Sequence, residues 1–210
     1  MPPLDSAVVS ALAALEATPA TPARPEFDHP PGTDLWVFGY GSLMWNPGFA
    51  FAERQLALLR GYHRRFCILS HRYRGTVERP GLVLGLDRGG SCWGMAFRVE
   101  AAEVPGALAY LWDREMVTRA YRPRLLPVRM PQRRTVRACT FVADPGHPQY
   151  SDCRCREATA ERIAAAAGRS GSNIDYLANT VAQLEQLGIR DRVLIELLGR
   201  VRTLTQLHLE

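Results

Sequence analysis

The 210-residue chain contains no lysine; all 26 of its basic residues are arginine. That absence excludes a phosphate-binding loop, whose lysine reaches the β- and γ-phosphates of a nucleotide. It also excludes a lysine Schiff base and the internal aldimine of pyridoxal phosphate. No apolar run approaches the roughly 18 residues that span a bilayer, so no membrane partner is expected. The N-terminus has no basic leader region, and its apolar stretch, Ala7 to Leu15, is short and followed by Glu16. It is not read as a signal peptide. The cysteines, Cys67, Cys92, Cys139, Cys153 and Cys155, are five in number. An odd, scattered set fits free thiols in a reducing cytoplasm better than a disulfide framework.

What is present is an uneven charge. The formal net charge is +5, but residues 60–137 hold 16 arginines and 6 acids, and the flanks are acidic. A basic middle block predicts an anionic partner: nucleic acid, a lipid surface or a small anionic substrate. A hydrophobic content of 47% with 22% charged residues is ordinary for a globular protein large enough to bury a core.

Residues 4 to 16 read as a short helix. The stretch from Thr18 to Gly32, with Pro19, Pro22, Pro25, Pro30 and Pro31, is a poor core former and reads as a linker or surface arm. The expected organisation is therefore an N-terminal arm over 1–33 and one domain over 34–210. Leu35 to Phe38 is a short apolar strand. Leu56 to Leu69 is a second, interrupted at Gly61. Leu82 to Leu86 and Cys92 to Val99 flank Asp87-Arg88-Gly89-Gly90, a hairpin signal. Leu125 to Met130 and Thr135 to Ala143 form another strand pair. Glu103 to Arg119, Glu157 to Ala167, Asn173 to Leu187 and Arg192 to Leu207 read as helices, with Gly168 and Gly188 at C-cap positions. Strands dominate 35–143 and helices 157–207. That predicts an α+β fold, a curved mixed sheet or barrel with flanking helices and a helical C-terminal part.

Five places are candidates for chemistry. Gly39-Tyr40-Gly41-Ser42-Leu43 follows the first strand directly. Its glycines allow a sharp turn whose N–H groups could receive an anion; a plain tight turn is the other reading, and Met44 stands where a dinucleotide fingerprint needs glycine. On the helix around Ala107 to Met116, Leu108, Leu111, Trp112 and Glu115 form one stripe. A glutamate continuing an apolar face is partly desolvated, which raises its pKa toward the range of a general acid/base. Rotation to water at the helix rim, or an ion pair with an arginine, are the alternatives, and Asp113 and Arg114 are expected to point elsewhere. Arg119 to Arg137 holds seven arginines and no acid. With Tyr121 inside, it fits either RNA binding or a solvated strand face, and the interleaved apolar residues favour the latter. Cys153-x-Cys155 near His147 lacks the usual metal-ligand spacing and a second pair. Ser42 with His63 or His71 lacks a nucleophile elbow.

Together these residues resemble a known family. Trp36 to Pro47 is similar to the opening motif of the ChaC-like γ-glutamylcyclotransferases. So are Gly61-Tyr62-His63-Arg64-Arg65-Phe66, Arg74-Gly75-Thr76 with Pro80-Gly81, and Cys92-Trp93-Gly94-Met95-Ala96-Phe97. Leu111-Trp112-Asp113-Arg114-Glu115-Met116 resembles the segment carrying that family's catalytic glutamate, and Asn173 to Leu177 resembles its helical tail. The resemblance implies a small-barrel α+β fold and cleavage of glutathione to 5-oxoproline and Cys-Gly, without metal or cofactor. It implies Glu115 as the catalytic acid/base. Substrate binding falls to Gly39, Tyr40, Gly41, Ser42, Leu43 and Met44, with Arg74 and Tyr121. The chemistry fits the missing lysine: the substrate's own α-amine attacks its γ-carbonyl, so the protein needs a carboxylate, backbone donors and walls that fold the substrate, not a nucleophile of its own. Other γ-glutamyl amines are an alternative substrate class, and a non-catalytic arginine-rich binding module is the alternative of a different kind.

Overall fold

The computed structural model of the chain describes residues 6–17 and 29–207. Most of the proline-rich arm expected over 18–32 lies outside the described residues. The chain divides into two compact units. One comprises Ala20–Arg65 and Gly85–Asp144; the other comprises Met1–Pro19, Phe66–Leu84 and Pro145–Glu210.

The first unit is built on a closed barrel. Its strands are β1 (Leu35–Gly39), β2 (Glu53–Ser70), β3 (Gly81–Val99), β4 (Tyr121–Arg129) and β5 (Thr135–Ala143). They run in the order β1-β3-β2-β4-β5; β1 closes the ring on β5, and β3 makes an additional pairing with β5. β2 and β3 continue along the chain into the second unit. β1 is buried along its whole length, as expected of an apolar run with no polar alternation. It pairs antiparallel with β3, Leu35 opposite Val99 through Gly39 opposite Met95, and parallel with β5 through Trp36 and Val37. The Thr140 hydroxyl, fully buried, donates to the Phe38 carbonyl. β4 and β5 pair over their full lengths, Tyr121 opposite Ala143 and Arg129 opposite Thr135.

Two strand expectations need correction. The chain does not reverse at Gly89-Gly90; β3 continues through both glycines at positive φ, 96° and 67°. The His63 ring bonds the Gly89 carbonyl, and Gly90 leaves its missing Cβ facing the His63 side chain at 3.4 Å. Pairing with β2 and β1 on either side of this kink overrides the local turn signal. Likewise Gly61 does not interrupt β2 but shifts its phase. Ala57 and Leu59 are buried before it, Arg64 and Phe66 after it. With φ of +83° at Gly61, one extra residue is absorbed and the inward positions change parity.

The helix α2 (Val104–Glu115) lies in the same unit and ends at Met116, three residues short of the expected Arg119. Arg119 has left-handed φ, which no helix continues through. The unit's core gathers Leu35, Val37, Leu43, Val99, Leu111, Trp112, Met116, Cys139 and Phe141, with Trp112 edge-on to Phe141.

The second unit is helical: α1 (Ser6–Ala17), α3 (Arg156–Ala165), α4 (Asn173–Gln186) and α5 (Arg192–Leu207), with the short pair β6 (Ala167–Gly168) and β7 (Gly171–Ser172). Leu12, Cys67, Ile163, Leu177, Leu184, Leu194 and Val201 are among its buried residues. Ser172 caps α4 by accepting from the Asp175 N–H, and Gly188, at φ of +74°, follows its end. Asn173 is fully buried and uses its amide as a strand would. Its Oδ1 accepts from the Leu82 N–H at 2.7 Å and its Nδ2 donates to the Leu82 carbonyl at 2.8 Å. Asn173→Ala leaves both main-chain groups unpaired in the interior. A loss of about 2–5 kcal/mol is expected, read as a lowered denaturation midpoint at unchanged m-value.

Candidate active site

The barrel unit brings the glycine turn and the carboxylate of α2 to one place. After β1 the chain turns at Gly39, where an added Cβ would lie 2.9 Å from the Leu43 Cβ. Gly94 is as constrained, since a Cβ there would meet the Gly39 carbonyl at 2.4 Å. Ser42–Met44 forms a single 3-10 turn, closed by Met44 N–H to the Gly41 carbonyl at 2.8 Å and Asn46 N–H to the Ser42 carbonyl at 2.9 Å. The Ser42 and Leu43 N–H groups open that turn, so it offers them no carbonyl, and Gly41 provides no side-chain cap. Tyr40, Leu43 and Met44 are buried; Leu43 joins the core that holds Leu111 and Trp112.

Two arginines hold this turn. Arg64 is 6% exposed. Its Nε donates to the Tyr40 carbonyl, and its Nη2 donates to the Trp93 carbonyl at 2.7 Å and approaches the Met44 Sδ at 3.7 Å. Arg114 grips the turn from the helix. Its Nη2 donates to Ser42 Oγ at 2.8 Å, its Nη1 to the Asn46 carbonyl at 2.7 Å and to the Tyr110 hydroxyl at 2.8 Å. Its Nε lies 3.3 Å from Glu115 Oε1. The expectation that Arg114 points away from Glu115 is therefore corrected: consecutive residues diverge on a helix, but this is its last turn and the arginine stem is long enough to double back. The ion pair raised as an alternative for Glu115 is present, and it is made by the neighbouring residue.

Glu115 keeps 17% of its side chain exposed. Burial pushes its carboxyl above the usual carboxylate range; the charge and hydrogen bond of Arg114 pull it back, and burial wins. A buried acid with one cationic neighbour and an open edge can take and return a proton. Tyr121, half-buried, packs against the same core cluster. Arg74 belongs to the helical unit. There its guanidinium donates to the carbonyls of Ser170 and Ser172 and stacks 5.2 Å from the Tyr176 ring centre.

In the arginine block, Arg122 and Arg124 stand on the exposed face of β4. Arg122 pairs with Asp144 at 2.7 Å, and Arg134 stacks over Trp36 and lies 3.7 Å from Glu53. No group of three or more metal-ligating side chains occurs among the described residues. No helix among them is long and apolar enough to cross a membrane.

A model of the ChaC-like protein family matches residues 35–204. The chain belongs to the ChaC-like family. Among its relatives is an Escherichia coli K12 protein named glutathione-specific γ-glutamylcyclotransferase, 40% identical over 175 residues, covering 83% of this chain and 76% of that protein. The human glutathione-specific γ-glutamylcyclotransferase 1 is 39% identical over 158 residues, 73% of this chain and 70% of the relative. The crystal structure of a γ-glutamylcyclotransferase specific to glutathione from yeast superposes with a TM-score of 0.74, covering 81% of this chain and 96% of that one. At 22% identity it establishes the shared fold: a mixed sheet closed into a barrel, with flanking helices.

Sequence reasoning missed Arg64 and misplaced Arg114. The signal for Arg64 was a charged residue at what becomes an inward strand position, visible only once the phase shift at Gly61 is allowed. In this ChaC-like chain the raised carboxyl of Glu115 also carries a stability consequence. The folded chain holds that proton at a pH where the unfolded chain has released it, so stability falls as pH rises from the ordinary value of 4.5 toward the raised one. Glu115→Gln is expected to flatten this part of the stability curve and to be the more stable protein above it. Thermal unfolding of both proteins between acid and neutral pH checks the sign.

Proposed function

We propose that this ChaC-like chain is a γ-glutamylcyclotransferase that converts glutathione to 5-oxoproline and Cys-Gly. The observation that carries the reading is the single guanidinium of Arg114, which ties the Glu115 carboxylate to Ser42 of the glycine turn. The names of relatives at 40% and 39% identity support the substrate.

The reaction is an internal displacement. Glu115 takes a proton from the substrate's α-ammonium, so that the neutral amine attacks the γ-carbonyl carbon. The new C–N bond closes the five-membered ring, and the γ-carbonyl oxygen becomes an oxyanion. Donors of the turn, from Gly39 to Met44, stabilise that charge or hold the substrate carboxylate. Glu115 then delivers its proton to the amide nitrogen of cysteine. The old C–N bond breaks, the ring nitrogen gives up its second proton to the departing amine, and Cys-Gly leaves. Burial that raises the carboxyl favours the second half-step, in which Glu115 must hold a proton and deliver it. Tyr40 and Tyr121 supply walls that hold the γ-glutamyl chain folded rather than extended. Arg74, in the helical unit, is assigned a general role, a positive charge that favours an anionic substrate. Among the described residues its partners are carbonyls and an aromatic ring, which leave its charge un-neutralised. The five cysteines, which are thiols rather than disulfides, and a thiol substrate support a reducing, cytoplasmic setting.

Glu115→Gln is expected to lower kcat by about 10²–10⁴ while glutathione still binds. The assay follows 5-oxoproline and Cys-Gly together, with γ-glutamyl amines as competing substrates. Near wild-type production of both by the variant removes Glu115 from the mechanism. Turnover is expected to survive a chelator, since no step asks for a metal.

A further inference from the structure

Three of the five cysteines, Cys67, Cys92 and Cys139, are buried; Cys153 and Cys155 are exposed. Both exposed thiols lie in the segment before α3, where residues 151–155 adopt no regular structure. The Cys153 sulfur lies 3.9 Å from the Cys155 carbonyl oxygen, so it is already folded toward the second cysteine. Residues two apart have Cα atoms at most about 7 Å apart, at the outer edge of what a disulfide spans. Residues 151–155 lie in no helix or ladder, so shorter spacings are open to them without breaking regular structure.

The two thiols are not equivalent. Cys155 stands at the N-cap position of α3 without a side-chain capping bond, and its Sγ donates to Glu157 Oε2 at 3.6 Å, a carboxylate held below its usual range by its own main-chain N–H and then by that bond. Cys153 interacts instead with the charge of Arg162. Arg162 Nη1 is buried, and no hydrogen-bond partner satisfies it. The Cys155 sulfur is thus held at the Glu157 carboxylate, while the Cys153 sulfur stands at a main-chain carbonyl. Among the described residues, no group of three or more His, Cys, Asp or Glu side chains suited to a metal includes this pair.

We propose that Cys153 and Cys155 form a thiol-exchange site for small peptide disulfides, oxidised glutathione among them, with Cys153 attacking and Cys155 resolving. The Cys153 thiolate attacks one sulfur of the disulfide. That S–S bond breaks, one peptide thiolate leaves and takes a proton, and Cys153 carries a mixed disulfide. Cys155, its proton passed to Glu157 or water, then attacks the Cys153 sulfur. The second peptide thiol leaves, and the Cys153–Cys155 disulfide remains. The protein loses two electrons and the small disulfide gains them. An excess of the reduced peptide runs the sequence backwards. The choice of oxidised glutathione as the disulfide rests on the proposed function; the exchange itself does not.

The test incubates the folded full chain with oxidised glutathione, then with a disulfide lacking a γ-glutamyl group. Acid quenching, alkylation and peptide mass analysis follow. Expected is loss of both alkylation sites on the peptide bearing Cys153 and Cys155 with either reagent, while Cys67, Cys92 and Cys139 still alkylate after unfolding. Cys155→Ser is expected to trap the mixed disulfide on Cys153, and Cys153→Ser to slow modification of Cys155 at least about tenfold. Glu115→Gln is expected to exchange like the wild type, so that failure of the cyclotransferase reading leaves this result standing. Unmodified thiols at both positions, or faster modification of Cys155 in Cys153→Ser than of Cys153 in Cys155→Ser, overturns the proposal.

Discussion

One guanidinium decides the geometry of the candidate site. Arg114 reaches Ser42, Asn46, Tyr110 and Glu115 at once, and so fixes the end of α2 against the turn that follows β1. Its planar fork makes this possible, because separate N–H groups point to separate acceptors in one rigid plane. Lysine, with one compact charge, could not hold carboxylate, hydroxyl and two further oxygens in register. The chain's exclusive use of arginine is therefore more than a matter of composition at this position. Arg64 holds the same turn to β3, reaching the Tyr40 and Trp93 carbonyls from a buried position.

The same contact sets a balance of charge. Burial favours the protonated carboxyl of Glu115, and the ion pair favours the carboxylate. The arrangement lies between. Burial raises the carboxyl and Arg114 moderates the rise. Arg114 is also partly exposed, at 20%, so water screens its pull. A glutamate on an apolar helix stripe, which is a fault in a purely structural helix, becomes the working group of the proposed reaction.

Much of this was legible beforehand where periodicity and cap chemistry agree. The span of β5, the helices α4 and α5, and the stripe through Leu108, Leu111, Trp112 and Glu115 follow from local pattern alone. The barrel's long strands were not legible. Gly61, Gly89 and Gly90 look like breaks in a local window, whereas tertiary pairing carries β2 and β3 straight through them. Arg64 was hidden for the same reason, since the phase shift at Gly61 decides which arginine faces inward. Arg114 was misplaced because helical geometry assigns directions to Cβ atoms, not to the end of a long flexible side chain. The glycine turn was legible as a turn; its attachment to α2 is a contact across 72 residues of sequence that no local pattern encodes.

The account stands on Arg114 tuning Glu115 while holding it to the turn. The most direct measurement is the acidic limb of kcat/KM for glutathione in the wild type and in Arg114→Gln. Loss of the arginine removes the influence that lowers the Glu115 carboxyl and leaves burial, which raises it. The limb is therefore predicted to move to higher pH in the variant, with residual activity recovered at alkaline pH. A limb that stays in place, or moves to lower pH, contradicts the account.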